Sequence, residues 1–206
     1  MADEGRKYDS PRRREQARAT REEIALAARR LFAERGWAAT TVRDIARAAR
    51  VSEPSVYNIY GGKAGIALAL VDAVDLDADV PQQLAELAAA DGDPVGQLGA
   101  MVAFDRRLLE RGGDVISVMR EAGRVEPDLA AAYQEGRRRG RETRQRVISS
   151  WPAEALRDGI DLDTACDAYA AMCNIDTYRS LTEEQGWAPD RVQRWWHDSL
   201  VRLLLR

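Results

Sequence analysis

Lysine is nearly absent from this 206-residue chain: of 31 basic residues only Lys7 and Lys63 are lysine. With the abundant alanine, that bias fits a high-GC genome and says nothing of function. Histidine is rarer still, with His197 alone beside Trp195 and Trp196. A single imidazole without a Ser or Cys nucleophile motif builds no triad. Two cysteines and one histidine are too few for a clustered zinc site. No Gly-rich phosphate loop follows a strand. An enzyme, such as a helical-bundle hydrolase, therefore fares badly as a reading, and no catalytic residue, metal or cofactor is expected; His197 reads as an interface or surface residue. Cys166 and Cys173 lie on one helical pattern, their Cα atoms about 10 Å apart, too far for a disulfide within the chain. They read as reduced core residues. No secretory signal and no apolar run of roughly 18 residues occurs, so a soluble, cytoplasmic protein with no membrane partner is expected. Helical periodicity nowhere gives way to sustained strand alternation, and no internal repeat is present. The fold predicted is all-α.

What is present is unevenly placed. Hydrophobic residues make up 45% of the chain, enough for a core, and the net charge is −3. Residues 1–65 carry 14 Lys and Arg against 9 Asp and Glu, a balance of +5; the remainder stands at −8. A basic head on an acidic body suits a nucleic-acid reader whose second domain does something else. Residues 1–13 are expected to form a flexible polar arm. Its arginines, Arg12 and Arg13 with Arg14 beyond, are either a solvated leader or a segment that touches phosphate or a minor groove.

The stretch from Thr41 to Lys63 carries the sharpest pattern. Thr41 is an N-cap with Asp44 three residues on, as in a capping box. Val42, Ile45, Ala46 and Ala49 recur at helical spacing. Arg50 and Val51 break it. Ser52 is a second N-cap, Pro54 falls in the first turn, and Gly61-Gly62 end a short helix over 53–60. A first helix over 14–35, with Ile24, Ala27, Ala28, Leu31 and Phe32 on one face, closes a three-helix core. Trp37 reads as a packing anchor. Two short helices joined by a tight turn are a helix-turn-helix unit, whose second helix enters the major groove. On its outward side stand Arg43, Glu53, Ser55 and Asn58. Asn pairs with adenine, Ser serves either role, and Pro54 can press on a thymine methyl. Glu53 either helps exclude wrong sites or only caps its helix. Lys63 sits beside two glycines at a helix N-terminus, where an anion is favoured.

Thr40-Thr41, Ile45-Ala46, Ala49-x-Val51-Ser52 and Tyr57-x-x-Tyr60-x-x-Lys63-x-x-Ile66 together resemble the DNA-binding motif of the TetR family of bacterial repressors. The close resemblance covers about residues 20–72. It implies that Tyr57 and Lys63 reach phosphates, and it completes a DNA-binding set of Thr41, Arg43, Ser52, Glu53, Pro54, Ser55, Tyr57, Asn58 and Lys63. One departure is Arg50, where the family often has glycine; a left-handed arginine there costs about 1 kcal/mol.

The expected domains are the arm at 1–13, a helix-turn-helix DNA-binding domain at 14–65, and a C-terminal helical ligand-binding and dimerisation domain at 66–206. A fourth helix over 62–75 links them. Apolar residues cover more than one face from Val95 to Leu109, as in a buried helix. A separate segment follows from Val115 to Ala122, then a long helix over 126–150. The arginines of that helix, Arg137, Arg138, Arg139, Arg141, Arg144 and Arg146, read as a solvated, ion-paired face rather than a second nucleic-acid surface. Near the end, Tyr-Arg-x-Leu, Gly186-Trp187 and a Trp-bearing last helix resemble one TetR-family C-terminal type, in which the last two helices form a four-helix dimer interface. That resemblance proposes Tyr169, Cys173, Val192, Trp195, Trp196, Ser199 and Leu203 as dimer contacts, unless the tryptophans pack within one subunit.

Together these features imply a ligand-responsive transcriptional regulator, usually a repressor in this family. A homodimer would bind a palindromic double-stranded DNA operator and be released by a small-molecule effector. Candidate pocket residues are Met101, Phe104, Met119, Arg120, Tyr133, Trp151, Tyr169 and Met172, with Asn174 as a further polar contact; core packing is an equal reading for each. The competing class is an architectural DNA binder without a ligand, or one controlled by a partner protein.

Overall fold

In the computed structural model, residues 11–77, 79–152 and 154–206 are described. Helices α1 (Pro11–Arg35), α2 (Val42–Ala48), α3 (Glu53–Tyr60) and α4 (Lys63–Asp77) come first. They are followed by α5 (Val80–Ala89), α6 (Pro94–Ala122), α7 (Pro127–Ser149), α8 (Leu162–Met172), α9 (Ile175–Arg179) and α10 (Pro189–Leu204), with a π-helical turn at Ser180–Glu184. Outside the helices, one isolated antiparallel bridge pairs Leu156 with Leu205. The chain divides within α4 into two compact units, one running through Leu70 and the other from Val71. Residues 1–10 of the expected arm lie outside the described residues. Helix α1 begins at Pro11, ahead of the start expected at Arg14, with proline at the N-terminal position that needs no N–H.

The N-terminal unit is a small apolar core under two caps. Ile24, Ala28, Leu31 and Phe32 of α1 are buried, as are Trp37, Ile45, Ala46, Val56, Ile66 and Ala67. Thr41 and Asp44 form the reciprocal capping box: the Asp44 amide donates to Thr41 Oγ1 at 3.1 Å, and the Thr41 amide and hydroxyl both donate to the Asp44 carboxylate. These bonds hold the Asp44 carboxyl below its usual range, the Thr41 hydroxyl contributing most. Ser52 caps α3 by accepting from the Ser55 amide at 3.2 Å. Gly61, at φ +73°, ends α3 in the left-handed region. Thr40, almost wholly buried, is satisfied by donating to the Gly36 carbonyl at 2.9 Å.

Between α2 and α3 the turn does require a left-handed residue, and Arg50 supplies it at φ +56°. A β-branched side chain tolerates that conformation worst. Arg50→Val is expected to lower the stability of the unit by about 1–2 kcal/mol, whereas Arg50→Asn, which tolerates it, leaves the midpoint unchanged; urea unfolding of the two variants decides. Equal midpoints would mean that the turn relaxes without strain.

The C-terminal unit is built on α6, against which α5, α7, α9 and α10 pack. Leu98, Met101 and Val102 of α6 share one core with Ala165, Cys166 and Tyr169 of α8 and with Val192, Trp196, Leu200 and Leu204 of α10. Contrary to the break expected between Leu109 and Val115, α6 runs unbroken through Gly112 and Gly113. These glycines permit close approach. A Cβ at Gly112 would lie 2.4 Å from a Val74 methyl, and one at Gly113 would lie 2.8 Å from the Ile175 terminal methyl. Packing against α4 and α9 thus offsets the roughly 1 kcal/mol that each helical glycine costs.

Polar ties fix the periphery. Arg107, largely buried, grips Glu86 of α5 with two bonds at 3.0 and 3.1 Å. The Trp151 indole donates to Gln97 Oε1 at 2.6 Å within the core. Both cysteines are unpaired and buried. Burial raises the Cys173 thiol well above its usual range.

Candidate nucleic-acid interface and cavity

Helix α3 presents a reading face because its apolar side is taken up by the core. Val56 is fully buried. Pro54, Tyr57 and Asn58 are exposed, while Glu53 and Ser55 are half-buried at the same surface. Tyr57 is 53% exposed, so it is not a core residue. Its neighbour in the pattern, Tyr60, turns inward and donates its hydroxyl to the Arg21 carbonyl at 2.9 Å. Beside α3 stand Arg43, Arg47 and Arg50, all exposed. The Ser52 and Ser55 hydroxyls bond each other at 2.8 Å, and the Arg43 Nε donates to Glu53 Oε1 at 3.0 Å. Glu53 therefore steers an arginine across from α2 to α3 in addition to standing in the first helical turn.

Lys63 is used differently from the role its glycine neighbours suggest. Its ammonium donates to the Trp37 carbonyl at 2.8 Å and to the Thr40 carbonyl at 3.0 Å, and it lies 4.1 Å from the Trp37 ring centroid. The carbonyls left over where α1 gives way to α2 draw the cation inward. Of the expected DNA-binding set, Arg43, Pro54, Tyr57 and Asn58 are exposed, Ser52 and Thr41 act as caps at the surface, and Lys63 is a clamp within the unit.

A cavity of about 550 Å³ opens in the C-terminal unit, in the usual range for small-molecule sites. Met101, Phe104, Met119, Tyr133 and Tyr169 line it as expected, together with Asn174. Arg120, Trp151 and Met172 do not line it. Arg120 is drawn to Asp176 by an ion pair, Trp151 is held by Gln97, and Met172 packs on the core. Val71 and Val74, on the last turns of α4, form part of the wall.

Three polar groups meet in that wall, and two of them have a buried atom without a well-formed hydrogen bond. Asp105 of α6 is held away from water, and its carboxyl is pushed up to about 6, although Arg144 and Tyr169 nearby favour its charged form. The Tyr169 hydroxyl and the Arg144 Nε are both buried without a hydrogen bond. Arg144 lies over the Tyr169 ring, 5.5 Å from guanidinium carbon to ring centre. The same carboxyl, after burial itself, helps raise the Tyr169 phenol well above its usual value.

The sequence held signals for this cluster. Asp105 follows Met101 by one helical turn and precedes Leu108 and Leu109 by another, so it lies on an apolar stripe. Gly136, Gly140 and Arg144 recur every fourth residue of α7, leaving room above one face. Three of the other arginines of α7 are ion-paired as expected: Arg138 with Glu135 and Glu142, Arg139 with Glu135, and Arg141 with Asp163 and Asp167.

The expected dimer contacts divide. Tyr169, Cys173, Val192 and Trp196 are buried inside the unit, so their side chains offer nothing to a partner. Trp195 and Leu203 are 40% and 43% exposed, with half-buried Ser199 between them on α10. The π-turn positions Trp187 edge-on to Trp195, ring centres 6.0 Å apart. Helical spacing explains the split: adjacent residues point about 100° apart, so Trp195 and Trp196 cannot share a face. His197 is half-buried, its Nε2 3.2 Å from the Val95 carbonyl. Among the described residues no cluster of His, Cys, Asp or Glu is placed to hold a metal, and no helix is long and apolar enough to cross a membrane.

Among the described residues, a capped helix-turn-helix is followed by a larger helical unit. Residues 24–70 match the family model described as bacterial regulatory proteins, tetR family. The HTH-type transcriptional regulator TtgR of Pseudomonas putida is 38% identical over 98 residues, which make up 48% of this chain and 43% of that one. The match thus spans less than half of the relative. A tetR-family regulatory protein from Rhodococcus RHA1 superposes with a TM-score of 0.71 at 22% identity, over 90% of this chain and 96% of that one. A transcriptional regulator from Saccharomonospora viridis, solved with choline, gives 0.70 at 22% identity, over 90% and 97%. At such identities the two structures show the fold. Residues 24–70 thus carry the DNA-binding segment of the tetR family of bacterial regulatory proteins.

Proposed function

We propose that this protein is a ligand-responsive transcriptional repressor that binds a palindromic operator as a homodimer. The observation that carries the proposal is the surface of α3: Pro54, Tyr57 and Asn58 exposed on a capped helix, flanked by Arg43, Arg47 and Arg50. Arginines anchor phosphates, and an exposed asparagine reads a base edge. One helix of this length reads few base pairs, so a two-fold pair of heads is needed for useful specificity. The exposed side of α10, with Trp195, Ser199 and Leu203, is the surface assigned to pairing. The cavity takes the effector. Because Val71 and Val74 belong both to its wall and to the helix leading into the reading head, a molecule that displaces them changes DNA affinity, and DNA changes the molecule's affinity reciprocally.

Selection of host genomic fragments by the purified protein, followed by competition with host small-molecule extract, tests this. A palindromic motif that is lost on adding extract is the expected result. In the same assay Asn58→Ala should relax preference at one base position, by about 1–3 kcal/mol of discrimination. A motif indifferent to every extract would favour a ligand-independent architectural binder. No enriched motif at low salt would refute DNA recognition by α3.

A further inference from the structure

Asp105, Tyr169 and Arg144 stand around one cavity and leave a specific vacancy in hydrogen bonding. The Tyr169 residue is only 1% exposed, and its hydroxyl, which faces the Asp105 carboxyl, makes no hydrogen bond of normal geometry. The Arg144 Nε is a buried donor without an acceptor. The Asp105 carboxyl is held from water near both, and each favours its charged form. Buried polar groups left this way cost free energy, which a fitting ligand recovers. Other members of the wall, Met101, Phe104, Leu108, Leu109 and Met119, supply apolar contact only.

The three groups define what fits. A carboxylate offers an acceptor, a guanidinium Nε a donor, and a phenol either. Among these three the charges cancel, so the anchor itself favours neither an anion nor a cation. A ligand carboxylate would face Asp105 across a water-poor space, and a ligand ammonium would face Arg144; each repulsion is strong there. Arg137, Arg139 and Arg146, with Glu142, also border the cavity and disfavour a cation further, so rejection of a carboxylate falls to Asp105 at the anchor. One hydroxyl satisfies the set: its hydrogen goes to Asp105 and its oxygen accepts from Arg144 and Tyr169.

We propose that Asp105, Tyr169 and Arg144 form a polar anchor selecting an uncharged, largely apolar molecule through a single hydroxyl head, in preference to the same body bearing an amine or a carboxylate. This deepens, and rests on, the assignment of the cavity as the effector site. The raised Asp105 carboxyl agrees with it, since a donor from the ligand supplies what burial removed.

The test is direct titration calorimetry of the full chain at pH 7.5 with four probes sharing one body: 4-phenylbutan-1-ol, 4-phenylbutylamine, 4-phenylbutyrate and butylbenzene. The alcohol is expected to bind about tenfold tighter than butylbenzene, and tighter than either charged probe. Tyr169→Phe and Asp105→Asn are both conservative in shape. The first should cut the advantage of the alcohol over butylbenzene several-fold. The second should remove the discrimination against 4-phenylbutyrate. Stronger binding of the amine or the acid overturns the proposal, as does equal binding of alcohol and butylbenzene, an advantage that survives Tyr169→Phe, or no binding of any probe. Selection of genomic fragments by the same preparation reports on DNA recognition separately, so failure of the anchor and failure of the regulator assignment are distinguishable.

Discussion

Replacing Trp196 with alanine should cost the C-terminal unit about 3–5 kcal/mol, whereas Trp195→Ala should cost under about 1 kcal/mol. Trp196 is wholly buried between α6, α8 and α10, with Tyr178 tilted against it at 6.0 Å between ring centres. Removing the indole leaves a cavity in a unit whose helices meet there. The loss takes a large part of the stability of a domain of this size. Trp195 is 40% exposed and rests on Trp187 alone among the aromatics. Its truncation should instead shift sedimentation toward monomer, because an exposed tryptophan on the surface proposed for pairing is the usual energetic focus of an interface. Thermal unfolding and sedimentation of the two variants separate the roles. A dimer intact in Trp195→Ala would remove α10 from the interface. A stable Trp196→Ala would mean that the surrounding helices collapse onto the space.

Lys63→Met should lower the stability of the N-terminal unit by about 2–3 kcal/mol, from the loss of charge-assisted bonds to the Trp37 and Thr40 carbonyls and of the contact with the Trp37 ring. Methionine keeps most of the stem, so packing changes little. A domain of this size has only a few kcal/mol to lose. DNA binding should then weaken for all sequences because the head is partly unfolded, with the amides after Trp37 exchanging faster. The alternative use of Lys63, a phosphate contact, makes a different prediction: unchanged stability and a salt slope lower by about one. Measuring melting and salt dependence on one preparation decides between them.

The helix-turn-helix was legible because its determinants are local. A capping threonine with Asp44, a proline in the first turn after Ser52, and glycines at the end of α3 act within a few residues, and the structure places each where the spacing predicts. Arg50 was flagged by resemblance, since the family often has glycine there, and the structure gives it the left-handed conformation. The unbroken α6 was not legible. A glycine pair reads as a break until Val74 and Ile175, distant in sequence, are seen to need the room. Nor could spacing tell which of two adjacent tryptophans turns inward, since an amphipathic helix has an apolar side but no label for what covers it.

Sequence alone determined the class of fold, the position of the reading helix and the separation of a basic head from an acidic body, because caps, turn residues and charge depend on neighbours along the chain. Tertiary structure decided the destination of Lys63, the inward turn of Trp196, and the meeting of Asp105 and Arg144 with Tyr169 from three different helices. Those outcomes depend on burial and on unpaired hydrogen-bonding groups, and both exist only once distant segments have packed.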